Sequence, residues 1–174
     1  ISGTATATTV AAAGLQADSA AGVLLDTSAS ETGTLTLNGE VRSAGGPLTI
    51  DAYGAVTVAA GVTLSSGGGD VLLRSAAGAV TFAADASVTS GGGDLAVLAD
   101  GTIAAGILDA RGADTTDRST WGALAVTSTT GAITDATAGS GSSPTTNFHA
   151  LRLLLRAATG IGALAMDPAD ASTE

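Results

Sequence analysis

Ser65-Ser66-Gly67-Gly68-Gly69-Asp70-Val71-Leu72-Leu73-Arg74 is echoed 24 residues later by Thr89-Ser90-Gly91-Gly92-Gly93-Asp94-Leu95-Ala96-Val97. A weaker copy of the corner, Ala44-Gly45-Gly46-Pro47, lies 23 residues before Asp70. A fixed period of about 20–50 residues marks stacked supersecondary units, none of which can bury its apolar face alone.

Aligned on the residues that follow each corner, six segments fall into one column: Val23-Leu24-Leu25, Leu48-Thr49-Ile50, Val71-Leu72-Leu73, Leu95-Ala96-Val97, Leu124-Ala125-Val126 and Leu153-Leu154-Leu155. Their spacings are 25, 23, 24, 29 and 29 residues. A second short segment follows in five rungs: Thr34-Leu35-Thr36-Leu37, Val56-Thr57-Val58, Val80-Thr81-Phe82, Thr102-Ile103-Ala104 and Ala132-Ile133-Thr134. A third column holds Val41, Leu64, Val88 and Leu108. Most segments alternate an apolar residue with Thr, Ser or Ala, the period-2 signature of a strand with one buried face. Gly, Ser, Asp and Asn sit between them, where tight corners need positive φ or side-chain-to-backbone hydrogen bonds.

Three short strands per rung, in about six rungs of 23–29 residues, predict an all-β chain folded as a parallel β-helix, or β-solenoid. Val23, Leu48, Val71, Leu95, Leu124 and Leu153 are expected to stack as one interior column, and Leu25, Ile50, Leu73, Val97, Val126 and Leu155 as its neighbour. With coils about 4.8 Å apart, six of them make a rod about 29 Å long. An antiparallel β-sandwich also has many short strands, but it does not require equivalent positions to recur at a fixed interval. The whole chain, 1–174, reads as one solenoid segment of a larger repetitive protein. It has an irregular start over 1–20, polar loops over 109–121 and 135–147, and a tail over 167–174.

Composition agrees with a narrow core. Hydrophobic residues make up 45% of the chain but aromatics only 2%, so large side chains are scarce. The net charge is −10, and all six basic residues are arginine. That argues against nucleic-acid binding, which needs clustered positive charge. There is no cysteine, and no run reaches the ~20 apolar residues of a membrane span.

Gly-Gly-Gly-Asp-Val-Leu-Leu-Arg (67–74), Gly-Ala-Val-Thr-Phe (78–82) and Leu-Leu-Leu-Arg-Ala-Ala-Thr-Gly-Ile-Gly (153–162) resemble the repeats of large bacterial surface proteins of the filamentous-haemagglutinin type. The resemblance covers roughly residues 20–165. It implies a right-handed β-helix and an exported adhesin or surface fibre. The asparagine-rich secretion motif of that family is not in this sequence, which fits an internal piece of the shaft.

Several residue groups could carry chemistry. Asp70 and Asp94 should lie one coil apart, about 5 Å from each other. There they could act as an acid/base pair, share a calcium ion, or simply cap turns. Asp109, Asp114 and Asp117 are the weak candidates for a hard cation such as calcium, although Arg111 and Arg118 can neutralise them. The calcium nonapeptide of β-rolls, Gly-Gly-x-Gly-x-Asp, is not reproduced. His149, the only histidine, lacks a serine in a nucleophile-elbow context. Gly67–Gly69 lacks the Lys-Ser/Thr of a phosphate loop. Thr-x-Thr runs at Thr4–Thr8 and Thr34–Thr36 match the outward ranks of ice-binding solenoids, but the pairs do not recur in every rung. Arg111, Arg118 and Trp121 form the candidate recognition loop, with Trp121 either a sugar-stacking platform or a cover for the solenoid side.

The expectation is a non-enzymatic structural and adhesive module. It would be a stiff β-helical shaft, secreted to the bacterial cell surface and associated with the outer membrane, that displays loops for attachment or for fibre assembly. It needs no cofactor. Its partners would be adjoining solenoid segments, end-to-end copies, or a host or surface glycan or protein receptor, with no nucleic acid and no membrane span. The alternative is a carbohydrate-binding or polysaccharide-cleaving β-helix, which calls for several exposed aromatics. Only Tyr53, Phe82, Trp121 and Phe148 exist.

Overall fold

The computed structural model describes residues 7–10, 14–17, 22–28, 33–83, 85–137 and 146–162. They form nineteen strands, numbered in chain order, in three parallel sheets. Sheet I stacks β1 (Ala7–Val10), β4 (Thr34–Leu37), β7 (Val56–Val58), β10 (Val80–Phe82), β13 (Ile103–Ala105), β16 (Ala132–Asp135) and β19 (Gly160–Ile161). Sheet II stacks β2 (Leu15–Ala17), β5 (Val41–Ser43), β8 (Thr63–Ser65), β11 (Ser87–Thr89), β14 (Ile107–Asp109) and β17 (Phe148–His149). Sheet III stacks β3 (Val23–Thr27), β6 (Leu48–Ala52), β9 (Val71–Ser75), β12 (Leu95–Ala99), β15 (Ala123–Ser128) and β18 (Arg152–Ala157). Each successive trio is one coil, and each coil pairs with the next in unbroken register. The fold is a parallel β-helix.

Both predicted columns of sheet III are present. Val23, Leu48, Val71, Leu95, Leu124 and Leu153 are register partners, as are Leu25, Ile50, Leu73, Val97, Val126 and Leu155. In sheet II, Val41, Leu64, Val88 and Leu108 stack as expected, and Phe148 extends the column to the sixth coil. In sheet I the interior column runs through Leu35, Val56, Val80, Ile103, Ile133 and Ile161. These columns meet in one core, in which Leu48, Ile50, Leu73, Val97 and Leu108 are fully buried. Full burial of an aliphatic side chain contributes about 1.5–3 kcal/mol, so even a narrow core gains from every added coil.

The region read as an irregular start contains two strands, β1 and β2, paired with β4 and β5. The Ala-Thr-Thr-Val of β1 carries little apolar contrast, the Leu-Gln-Ala of β2 is too short to set a period, and no glycine triplet precedes them. The tail, 167–174, lies outside the described residues. Among the described residues no helix is long and apolar enough to cross a membrane.

The corners explain the sequence repeat. Ser43, Ser66 and Ser90 turn inward and donate to the carbonyls of Gly46, Gly69 and Gly93 in their own corners. Ser43 and Ser66 also lie 3.1 and 2.9 Å from the carbonyls of Ser66 and Ser90 in the next coil. A buried hydroxyl thus satisfies backbone acceptors that would otherwise be left unpaired. Gly69 and Gly93 stack backbone against backbone, and a Cβ on Gly93 would run into the Gly69 carbonyl. On the opposite corner, Ser75 donates to Gly54 O at 2.7 Å and accepts from Gly78 N at 3.1 Å. Ser128 repeats the arrangement with Gly101 O and Gly131 N, at 2.8 and 3.1 Å.

Candidate recognition loop on the fifth coil

Between β14 and β15 the chain leaves the solenoid and returns through a short 3-10 helix, Arg118–Thr120. The Gly122 N–H closes the excursion by donating to Ala110 O at 2.8 Å. Within it, each acidic side chain organises its own turn. Asp114 accepts from Thr116 N and Oγ1 at 2.9 and 2.7 Å, and Asp117 accepts from Ser119 N and Oγ at 2.9 and 2.6 Å, capping the helix. These bonds hold both carboxyls below their ordinary range, with the Thr116 and Ser119 hydroxyls the leading causes.

Asp109 is engaged by Arg111 in a fork, with Nε at 2.9 and 3.0 Å from the two carboxylate oxygens and Nη2 at 2.6 Å. Burial pushes the Asp109 carboxyl up. The Arg111 hydrogen bonds and charge, aided by His149, outweigh that and hold it below its ordinary value. The three aspartates proposed for a cation are therefore not gathered. No group of three His, Cys, Asp or Glu side chains that could hold a metal occurs among the described residues.

Arg111, Arg118 and Trp121 do come together. The guanidinium carbons of Arg111 and Arg118 lie 5.9 and 5.5 Å from the Trp121 ring centroid, within cation–π range. The ring is engaged by the loop's own cations, which fits a clasp better than an open stacking platform. Its Nε1 is buried without a hydrogen-bond partner among the described residues. Beside this cluster a hollow of about 310 Å³ is lined by Gly67, Thr89, Gly91, Asp109, Arg111 and Thr115. The second polar loop is pinned by Asn147, whose Nδ2 donates to Asp135 Oδ1 at 2.8 Å and Ala105 O at 3.1 Å. Burial raises the Asp135 carboxyl, but hydrogen bonds from Thr137 and Asn147 bring it below its usual range.

His149 is the register partner of Asp109, and Asp109 that of Thr89. The order is histidine, aspartate, threonine, with the acid in the middle and committed to Arg111. A nucleophile–base pair needs the hydroxyl against the histidine. Asp70 and Asp94 are neighbours across one coil, yet Asp70 Oδ1 accepts from Asp94 N at 2.9 Å and Asp94 Oδ1 from Ala123 N at 2.7 Å. The turn-capping reading accounts for both, and neither carboxylate is arranged as an acid/base partner of the other. On the outside of sheet I, Thr36, Thr57, Thr81 and Thr134 form one file interrupted by Ala104. It is a single rank, without the paired rank that Thr34–Thr36 suggests; Thr4 and Thr6 lie outside the described residues.

Sequence reasoning missed a groove of about 530 Å³ on the outside of sheet III. Its floor is the outward file Thr49, Leu72, Ala96, Ala125 and Leu154, beside Asp70 and Asp94. The signal was present as apolar residues at outward positions, but two of them are alanines that read as neutral. Compared with family models, curated proteins and solved structures, the chain matches none.

Proposed function

We propose that this chain is a structural and adhesive module, a β-helical shaft of a bacterial surface protein that displays the polar loops 109–121 and 135–147 for attachment or for fibre assembly. The observation that carries this reading is where the polar side chains go. Ser43, Ser66, Ser75, Ser90, Ser128, Asp70 and Asp94 all bond backbone groups of their own or adjacent coils. They serve the stack, and among the described residues the chain leaves the regular coil between Ala110 and Gly122. The resemblance of residues 67–74 and 153–162 to filamentous-haemagglutinin repeats supports the same reading, since their shared Val71–Arg74 and Leu153–Arg156 stretches occupy equivalent places on sheet III. The test is labelling of intact source cells with antibody raised against residues 110–122. Labelling before permeabilisation, removed by external protease, is expected. Signal seen only after permeabilisation, or turnover of any polysaccharide by the purified chain, overturns the proposal.

A further inference from the structure

The chain has two asparagines, Asn38 and Asn147, and the fold treats them oppositely. Asn147 is held on both sides: its Nδ2 donates to Asp135 Oδ1 at 2.8 Å and to Ala105 O at 3.1 Å, and its own carbonyl accepts from Leu108 N at 2.7 Å. Phe148, a bulky residue in β17, follows it. Asn38 is exposed, and its side chain bonds no described residue. Gly39 follows it, and the Gly39 N–H donates to no described acceptor.

Asn38, Gly39 and Glu40 form the corner between β4 and β5. It is three residues long, where the next two coils use four between the same two sheets. The shorter corner leaves a hollow of about 410 Å³, with Asn38, Gly39 and Glu40 on one side and Ala60, Gly61 and Thr63 on the other. The Asn38 amide has room to swing there, and water can enter. Asparagine carries a reaction within its own reach, because the next backbone nitrogen can attack its side-chain Cγ. A Cβ on that next residue crowds the approach, and hydrogen bonds on the amide or the nitrogen hold the two apart. Glycine removes the first obstacle, since it has no Cβ and the widest range of backbone angles. At Asn38 the fold does not supply the second.

We infer that Asn38–Gly39 is a site of spontaneous backbone modification, closing to a succinimide that opens to aspartate and isoaspartate. The Gly39 N–H gives its proton to hydroxide, and the nitrogen bonds to Asn38 Cγ. The Cγ–Nδ2 bond breaks, and Nδ2 leaves as ammonia with a proton from water, which regenerates the hydroxide. Water then adds to one of the two ring carbonyls. Addition at Cγ breaks the new bond and leaves aspartate. Addition at the main-chain carbonyl of Asn38 breaks its original bond to Gly39 and leaves isoaspartate, in which the chain runs through Cβ and Cγ. Either product adds a carboxylate beside Glu40, whose partner is Arg42 at 3.6 Å. Isoaspartate also lengthens the backbone between two fixed points. These are Leu37 O, which accepts from Ala59 N at 2.9 Å, and Glu40 O, which accepts from Leu15 N at 2.7 Å. The corner that ties the second coil to the coils on both sides is therefore where this stack ages.

The test holds the purified full chain in mildly alkaline buffer and follows it by peptide mass spectrometry, with isoaspartate scored by isoaspartyl methyltransferase labelling. Ammonia loss and isoaspartate are expected at position 38, faster as pH rises, while Asn147 stays an amide. Gly39→Ala and Asn38→Gln, each checked for unchanged circular dichroism, should slow the conversion at least about tenfold. The first adds a crowding methyl and the second demands a larger ring. An Asn38 that persists in the folded chain while the urea-unfolded chain converts overturns the proposal, since the fold then protects it. Aspartate formed without isoaspartate, or a Gly39→Ala chain that converts at the parent rate, overturns it as well. The cell-labelling experiment is independent of all these results.

Discussion

Asp94 Oδ1 accepts the backbone N–H of Ala123 at 2.7 Å, one coil further along the stack. Ala123 opens a strand that follows a long excursion, so its N–H is the point at which the chain must find its register again. The same carboxylate type does this between Asp70 and Asp94 at 2.9 Å.

Asp94→Ala should lower unfolding stability by about 1 kcal/mol, the value of an ordinary hydrogen bond rather than of a buried charge-assisted one, because the site is open to water. Asp94→Asn keeps the acceptor and should lose less than half of that. Urea unfolding of the three proteins measures the difference, and equal losses for the two variants would show that charge matters more than the cap.

Leu73→Asp should unfold the chain. Leu73 is fully buried between Ile50 and Val97, and an unpaired carboxylate there costs several kcal/mol, a large part of a typical domain's stability. Loss of the β signal in circular dichroism is the expected readout; a cooperative melt near that of the parent would refute the inward assignment.

Gly93→Ala should cost about 2–3 kcal/mol, because its Cβ meets the Gly69 backbone, which has no rotamer to yield. Gly61→Ala is the contrast. Nothing lies within 4 Å of that Cβ, and only the φ of +69° is penalised, at about 1 kcal/mol. Paired thermal melts should rank the two in that order.

These glycines show how much the sequence disclosed. The alternation around Leu48, Val71 and Leu95 and the recurring triplets were enough to set three sheets and their register, because period and corner chemistry act locally and repeat. β1 escaped because alanine and threonine give little contrast between inside and outside, and β2 because the three residues Leu15-Gln16-Ala17 are too few to establish a period. Phe148 was missed as a column member because it comes 15 positions after Ile133, where Leu108 comes five after Ile103, and this breaks the period. In the loop, the residue types of Asp109, Arg111, Arg118 and Trp121 were legible. Their pairing was decided by neighbours: Asp114 and Asp117 turned to Thr116 and Ser119, two residues away, instead of toward a shared cation.

The Asp109–Arg111 fork should make stability acid-sensitive. A carboxyl held below its unfolded value of about 4 stabilises the fold fully above that value. The contribution is lost as pH falls through the lower folded value. The parent should therefore resist urea better than Asp109→Asn at pH 7, and the gap should close near pH 2. An unchanged gap would mean that the fork's geometry matters and its ionisation does not.

Arg118→Ala should uncover the Trp121 ring and shift its fluorescence to longer wavelength, with a stability loss of about 0.5–1 kcal/mol for an exposed cation–π contact. Trp121 is the only tryptophan, so the spectrum reports this loop alone. An unchanged spectrum would place the indole's shielding elsewhere.

The ladders between coils run along the long axis, so tension applied end to end pulls directly on the bonds that join one coil to the next. Yet each coil stays covalently threaded to its neighbours. A coil that detaches under load does not sever the rod; it releases its own two dozen residues, about 80 Å of slack at full extension. Overload would thus lengthen such a rod in discrete steps, and the loops it carries would stay tethered while it extends.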